Sequence, residues 1–508
     1  MKRVLLLGVL LGCGARQTPA NEAAQAHPLT PSRWEAKRNT DTPVIALRVV
    51  FEAGSADDPP ALPGLTHLTA LTMLEGRAGE LGYAERERLL FPMAAHISLH
   101  VEREQTVFSA RVHKDHLAAF YPLFRDVLRA PAFDAGDIER LRARALSHLT
   151  QDLRGADDEA LGKELLQAML FQGHPYAHPE LGSESGLRKL DRAQMIAQRA
   201  RVFCAARVRA AVSGPIDEAF AKEMERDLAA LDSPSCEAKR PLPPPSTLQT
   251  RRVWIVDKPE AASVAISFGL PIDVSRSHPD YPALTLAAAY LGQHRTFAGK
   301  LMQKMRGDRG LNYGDYAYAE NFVQEGDSRF PMPNVARRQQ YFSIWLRPVR
   351  PEQTHFALRM AVRELELVVE QGIGEADFAR IQQFVSNYYA LFAQTEQQRL
   401  GYDLDAGFYG EGTARDVAQL RAQLAQLTRE QVNAAIKRHI VPGRIQVAMV
   451  APNANALADK LVLGERSPIT YNVDKPAALL EEDKQIEKHA LGLTREQVNV
   501  LPLETLFR

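Results

Sequence analysis

The feature that most constrains the fold of this chain is an internal repeat. Residues 190–212 align without a gap with residues 427–449, at an offset of 237, and several identities recur along both segments. Each segment has the pattern of a helix leading into an apolar strand. A proline-rich stretch at 240–245 lies near the middle of the 508 residues and is typical of a stiff linker. The repeat therefore predicts two homologous domains joined by a linker.

The two halves also begin alike. Alternating apolar residues predict strands at 44–51 and 263–268, and each is followed by a proline-containing loop and a helical stretch, at 64–74 and 282–291. Long amphipathic stretches that would supply the helical layer lie at 137–152 and 375–396. The sequence thus predicts the α+β fold class, with a sheet and a helical layer in each domain.

The charge balance bears on the kind of partner. Lys and Arg together number 62, and so do Asp and Glu, which gives a formal net charge of zero. Because nucleic-acid affinity depends on excess positive charge, we expect no nucleic-acid partner. Three cysteines are too few for a disulfide-rich scaffold. Of these, Cys204 and Cys236 lie in the body of the chain, where the sequence leaves open whether they pair.

The N-terminus has the pattern of an export signal. A basic start is followed by an apolar run at 4–11, which is too short to span a bilayer. The next residues, Gly12 and Cys13, complete a segment that resembles the bacterial lipobox. The resemblance implies cleavage of residues 1–12, lipidation of Cys13 and attachment through that lipid to the outer membrane of a Gram-negative cell, facing the periplasm. The alternative is an ordinary signal peptide that happens to contain a cysteine.

A second motif follows the first predicted strand. The segment 64–71, with His67, Ala70 and Leu71, resembles the insulinase/pitrilysin family of zinc peptidases, which includes mitochondrial processing peptidase. Members of that family carry H-x-x-E-H here, in which two histidines bind zinc and the glutamate activates water. Ala70 replaces the glutamate and Leu71 the second histidine. The family's third ligand, a glutamate, corresponds to a position near His148.

This degenerate motif predicts that the first half binds no catalytic metal. Catalytic zinc requires three protein ligands, and only His67 is retained from the family's set. We expect His67 to be a packed remnant and predict no cofactor for this chain. A rebuilt site that uses His67 and His148 is the alternative.

A third motif lies in the second half, where Arg306 is followed seven residues later by Tyr313. This spacing resembles the Arg–Tyr motif of the family's C-terminal domain, whose side chains bind the substrate backbone and donate hydrogen bonds to the carbonyl under attack. A guanidinium offers several fixed donors, and a phenol hydroxyl can stabilise an oxyanion. The alternative is a glycine-rich turn with a surface arginine and a core tyrosine.

The resemblance covers nearly the whole chain after residue 33 and implies two homologous α/β-sandwich domains that form half of a clam-shell chamber. The predicted segments are a signal peptide at 1–12, a tether at 13–32, an N-terminal domain at 33–232, a linker at 233–252, a C-terminal domain at 253–465 and a tail at 466–508.

Some bacterial members of the family are split into two chains, of which one carries H-x-x-E-H and the other the Arg–Tyr pair. The resemblance therefore implies a non-catalytic subunit whose partner chain holds the zinc and the H-x-x-E-H motif, acting together on unfolded peptides. Two alternatives are a stand-alone peptide-binding or scaffolding pseudopeptidase and an autonomous peptidase with a rearranged metal site.

Overall fold

The computed structural model describes residues 33–231, 233–324, 326–410 and 416–508. The predicted signal peptide, the tether and Cys13 lie outside the described residues. Within the described part, none of the helices combines the length and the apolar character that crossing a bilayer requires.

Eleven described strands form two mixed sheets. The first sheet has the order β1-β5-β2-β4-β3, and the second has the order β11-β6-β10-β7-β9-β8. The strands are β1 Trp34–Arg38, β2 Val44–Phe51, β3 His96–Val101, β4 Thr106–His113, β5 Val208–Gly214, β6 Arg252–Asp257, β7 Val264–Ile272, β8 Asp315–Tyr318, β9 Gln340–Val349, β10 Gln446–Ala451 and β11 Val498–Pro502.

The helices form the layers that cover these sheets. They are α1 Leu65–Glu75, α2 Tyr83–Leu90, α3 Leu117–Arg129, α4 Ala135–Ser147, α5 Asp158–Leu170, α6 Glu184–Lys189, α7 Arg192–Val202, α8 Glu218–Ala229, α9 Tyr281–Gly292, α10 Thr354–Gln371, α11 Glu375–Tyr388, α12 Glu396–Tyr409, α13 Val417–Gln426, α14 Arg429–His439, α15 Ala454–Leu463 and α16 Ala477–Ile486.

The five strands of the first sheet have counterparts in the same order in the second, which adds β11 at one edge, and this shared topology confirms the predicted homology of the halves. In the first sheet β5 is parallel to β1 and antiparallel to β2, and in the second β10 is parallel to β6 and antiparallel to β7. The repeated segment supplies the same elements in both copies, namely α7 with β5 and α14 with β10. Both helices also begin with a capping box, at Asp191 and at Thr428, which again differ by 237.

The central strands β2, β7 and β10 are buried on both faces because the halves exchange a helix. Along β2, Ile45, Leu47 and Val49 pack in the N-terminal core, whereas the alternate residues Ala46 and Val50 pack against Leu400 and Leu404 of α12. Reciprocally, α5 from the first half covers β7 and β10 of the second sheet. These central strands are therefore mostly apolar on both faces, since successive side chains point to opposite sides of the sheet.

The segment 466–508, predicted as a C-terminal tail, packs on the C-terminal half. It contributes α16 and the edge strand β11, which pairs in parallel with β6. The predicted linker region contains no helix or strand over its described residues before β6 begins at Arg252. His174 fixes this region, because its Nε2 lies 2.9 Å from the carbonyl oxygen of Pro243.

Cys204 and Cys236 form a disulfide, with their Cα atoms 5.9 Å apart. This settles the pairing that the sequence left open. The bond ties the start of the linker region to the segment between α7 and β5, so the N-terminal half is closed covalently before the chain enters the second half.

Two predicted helices differ from the structure. The stretch 375–396 is not one helix, because α11 ends at Tyr388 and α12 begins at Glu396 after a break. Thr395 caps α12 through a capping box with Gln398. This helix-start signal lies in the sequence, but the amphipathic pattern, which continues across it, predicted a single helix. The stretch 137–152 is α4 followed by a π-helical segment, His148–Ala156.

Candidate functional site

The first predicted site residues lie on α1. The carboxylate of Asp58 caps this helix, accepting hydrogen bonds from the backbone N–H groups of Gly64 and Thr66, each at 2.7 Å. Gly64 precedes the helix with φ of 98°, a conformation that favours glycine. The cap fixes the first turn, which presents His67. Ala70 is buried, so the residue at the family's catalytic position is a core methyl group.

The surroundings of His67 do not suit zinc. Burial lowers the pKa of His67 to about 4, and the nearby His148, His100 and Arg144 contribute to this lowering by repulsion. The side chain of His148, which lies near the position of the family's third ligand, is 62% exposed, and its Nε2 lies 3.9 Å from Asp152. Among the described residues, neither histidine belongs to a group of three or more His, Cys, Asp or Glu whose ligand atoms could share an ion.

The donor set on α1 therefore does not fit a catalytic metal. The Nδ1 atom of His67 is buried and has no hydrogen-bond partner in the structure, yet one imidazole beside Ala70 and Leu71 offers a single ligand where three are required. The guanidinium of Arg144 adds a positive charge close to this position.

The second pair of predicted residues is brought together by the structure. Arg306 lies in a π-helical turn, Met302–Gly307, and Tyr313 lies in the loop that leads into β8. Arg306 Nη1 donates a hydrogen bond to the backbone oxygen of Tyr313 at 3.3 Å. The side chain of Tyr313 is 79% exposed, which excludes the alternative of a core tyrosine.

A third residue completes this cluster. The ring of Phe297 lies 4.8 Å from the guanidinium carbon of Arg306, and the ring of Tyr313 lies 5.9 Å from it. Phe297 is 68% exposed although it is a large apolar residue. We call Phe297, Arg306 and Tyr313 the Arg–aromatic cluster. Aromatic and arginine side chains together are the composition of energetically dominant binding sites.

Helix α16, which is acidic and lies near the end of the chain, binds the segment between Arg306 and Tyr313. Arg309, three residues after Arg306, is buried and donates to Asp483 at 2.7 Å and to Glu482 at 2.8 Å, both on α16. Lys304 also pairs with Glu482. Although burial raises the pKa of Glu482, hydrogen bonds from Lys304 and Arg309 lower it to about 2.

Three residues of this site, Phe297, Arg309 and Asp483, were not predicted from the sequence. The basic residues within 304–309 and the acidic run at 481–483 have opposite charges. This charge complementarity is the sequence signal that could have indicated the pairing of Arg309 with Asp483. No local pattern marks Phe297, because its role depends on which side chain stacks on it. Among the described residues, no hydrogen bond, ion pair or ring contact joins Arg306 or Tyr313 to α1.

The fold defines a class of protein, the insulinase-type peptidases and their non-peptidase homologues. The insulinase (peptidase family M16) model matches residues 33–184, and the model of the peptidase M16 inactive domain matches residues 189–385. The chain therefore belongs to peptidase family M16.

Particular relatives cover most of the chain. It is 22% identical to a non-peptidase homolog, YmxG, of Helicobacter pylori, over 88% of this chain and 97% of that protein. It is 23% identical to an uncharacterized zinc protease of Mycobacterium bovis, over 87% of this chain and 97% of that one. The crystal structure of a peptidase M16 inactive domain from Pseudomonas fluorescens superposes with a TM-score of 0.71, at 22% identity, over 84% of this chain and 97% of that chain.

Proposed function

We propose that this protein is a non-catalytic subunit of a heteromeric zinc metallopeptidase that degrades unfolded peptides. The observation that carries the proposal is an asymmetry between the two halves. The zinc position on α1 holds Ala70 and Leu71, whereas Arg306 and Tyr313 are held together, with Arg306 partly exposed and Tyr313 exposed. A partner chain with H-x-x-E-H would supply the zinc and the activated water.

The chemistry of the Arg–aromatic cluster supports this role. The phenol O–H of Tyr313 is exposed and can donate a hydrogen bond to a peptide carbonyl as negative charge develops on its oxygen. The guanidinium of Arg306 is oriented by two rings and one backbone oxygen, which leaves its other N–H groups for the substrate backbone.

The proposed location is the periplasm, at the outer membrane, through a lipid on Cys13. Two features support it. The N-terminal residues have the basic and apolar pattern of an export signal. In addition, the Cys204–Cys236 disulfide is typical of oxidising compartments.

The central test is the Tyr313→Phe variant in the complex purified with its partner. We expect kcat to fall by roughly 100-fold while assembly and KM change little, because an oxyanion donor acts mainly in the transition state. Tyr83→Phe is the matched control, since Tyr83 also lies beside a guanidinium, that of Arg86 at 5.6 Å, but in the other half. Unchanged turnover in Tyr313→Phe would remove the assigned role.

Co-purification from native membranes separates this proposal from its alternatives. A stoichiometric partner with H-x-x-E-H, together with zinc and peptide cleavage, supports the split enzyme. A chain that is isolated alone, binds an unfolded peptide and cleaves nothing with any added metal is instead a stand-alone pseudopeptidase. In that case the Arg–aromatic cluster would be a binding site only.

A further inference from the structure

A second group of metal-ligating side chains lies in the C-terminal half, away from α1. His278 and Asp280 lie in the segment that leads into α9, and His439 is the last residue of α14. One ligand atom from each of the three residues lies within 4.8 Å of the other two. All three residues are partly exposed, so solvent ions can reach them. They come together although 159 residues separate Asp280 from His439.

We propose that His278, Asp280 and His439 bind a zinc ion that fastens the C-terminal end of α14 to the N-terminal end of α9. Two imidazoles and one carboxylate are a donor set that zinc prefers, and three protein ligands leave a fourth position for water. This site is independent of the proposed peptidase partnership, because it uses residues outside both the α1 position and the Arg–aromatic cluster.

The geometry needs only small adjustments to hold the ion. Zinc–nitrogen and zinc–oxygen bonds of about 2.0–2.1 Å in a tetrahedron place ligand atoms about 3.3 Å apart. His439 Nε2 and Asp280 Oδ2 are 2.7 Å apart, so this pair must separate by only a fraction of an ångström. The His278 and His439 rings are nearly perpendicular, with centroids 5.3 Å apart, so their nitrogen atoms can converge on one point.

The contacts that Asp280 and the Nδ1 atom of His278 make in the structure compete with the metal and can be accommodated. Arg438 forms an ion pair with Asp280, but a carboxylate has two oxygens and can retain Arg438 on one of them. His278 Nδ1 accepts a hydrogen bond from the backbone N–H of Asp280 at 3.0 Å. Metal binding can exchange this bond for a metal–nitrogen bond, or the ring can keep it and coordinate through Nε2.

A plain salt bridge between Asp280, Arg438 and His439 is the competing explanation, and His278 distinguishes the two. The salt bridge already satisfies Asp280 and does not need a second imidazole. The His278→Gln variant therefore keeps the ion pairs at Asp280 and removes one metal ligand. This makes it a better probe than a substitution of Asp280, which precedes α9 and pairs with α14.

The test is a zinc titration of the tag-free, metal-stripped full chain by calorimetry. We expect one zinc per chain and, in His278→Gln, an affinity at least about tenfold lower, which is the loss typical even of residues that only orient a ligand. The matched controls His67→Gln and His148→Gln should bind zinc like the native chain. Zinc should also raise the Tm of the native chain and not that of His278→Gln.

Three outcomes would overturn the proposal: no zinc binding by the native chain, equal binding by His278→Gln, or loss of binding in His67→Gln. The last would place zinc at α1 and support the autonomous peptidase instead. If the proposal holds, zinc found with the isolated chain does not by itself indicate peptidase activity, because the ion lies in the half without the H-x-x-E-H position.

Discussion

At the scale of single residues, Phe297 is an exposed side chain whose ring stacks on Arg306. An exposed cation–π contact is worth about 0.5–1 kcal/mol, so losing the ring should release Arg306 without unfolding the protein. We infer that Phe297 is a positioning residue rather than one that touches the reacting atoms.

Phe297→Leu should therefore raise the KM of the proposed complex roughly 2–5-fold, the equivalent of that contact energy, while Tm stays unchanged. Phe297→Tyr keeps a ring and should restore the native value. Phe91→Ala, which removes another exposed phenylalanine from the N-terminal half, is the control. Equal effects of Leu and Tyr at position 297 would show that the ring is not what matters.

Asp315 is a second residue with a specific consequence. Asn312 Nδ2 donates to Asp315 Oδ1 at 2.7 Å, whereas Asn312 Oδ1 and Asp315 Oδ2 are buried acceptors with no partner in the structure. Burial raises the pKa of Asp315 to about 7, against the opposing hydrogen bond from Asn312. A proton on Asp315 adds the donor that this pair of acceptors lacks.

The pH dependence follows from the sign of this shift. Between about pH 4 and 7 the folded state holds a proton that the unfolded state has lost, so the contribution of Asp315 to the free energy of unfolding falls as pH rises, by at most about 1.4 kcal/mol per pH unit. Asp315→Asn removes this component and should be stabilised relative to the native chain more at pH 8 than at pH 5. A stability difference that is equal at both pH values in urea unfolding would contradict the assignment.

At the scale of elements, α16 positions the Arg–aromatic cluster by pairing with Arg309, which lies between Arg306 and Tyr313 in the chain. Asp483→Ala removes one of the two carboxylates that pair with the buried guanidinium of Arg309 and leaves it Glu482 and the backbone oxygen of Lys304, and breaking a buried ion pair costs about 3 kcal/mol or more. We expect that loss in the free energy of unfolding, together with lower turnover of the complex because the loop carrying Arg306 and Tyr313 is displaced.

Glu481→Ala is the matched control for α16, since Glu481 is the exposed neighbour that pairs with Lys484 on the surface of the same helix. It should change stability by less than about 0.5 kcal/mol. If Asp483→Ala were as stable as Glu481→Ala, α16 would not be the support of the loop. Thermal and urea unfolding measure the first effect, and peptide hydrolysis by the complex measures the second.

At the scale of the whole molecule, buried ion pairs as well as the exchanged helices α5 and α12 connect the two halves. Arg337, just before β9, is 1% exposed and contacts Glu102 of the N-terminal half at 3.0 Å. It also donates to Gln167 of α5 at 2.6 Å. Although burial would raise the pKa of Glu102, Arg337 holds it well below its usual range.

Arg337→Met should therefore lower the free energy of unfolding by about 3–5 kcal/mol, because it leaves Glu102 buried without its main partner. Tryptophan fluorescence reports on each half, since Trp34 lies in β1 and Trp254 and Trp345 lie in β6 and β9. With Trp34→Phe as a background, the C-terminal half can be followed alone. Coincident, unshifted transitions in Arg337→Met would rule out this coupling, and Arg350→Met, at an exposed site, is the control.

The sequence by itself determined much of the local structure. The seven residues at 427–433 recur unchanged at 493–499, and in both places Thr and Gln form a capping box, at Thr428 and at Thr494. A capping box needs only contacts within four residues, so its formation is encoded locally. The internal repeat likewise predicted the two matching sheets, whereas the substrate-binding role that the Arg–Tyr spacing implies stays a prediction.

The tertiary structure decided how the chain continues after such local signals. Beyond the first capping box it forms α14, whereas beyond the second it turns at once into β11, where the neighbouring β6 offers an edge and Pro502 opposes a helix. Three further features depend on residues far apart in the chain. They are the exchange of α5 and α12, the pairing of Arg309 with α16 and the contact between Asp280 and His439. Sequence periodicity carries no information about such distant partners, because it records which face of an element is apolar but not what covers that face.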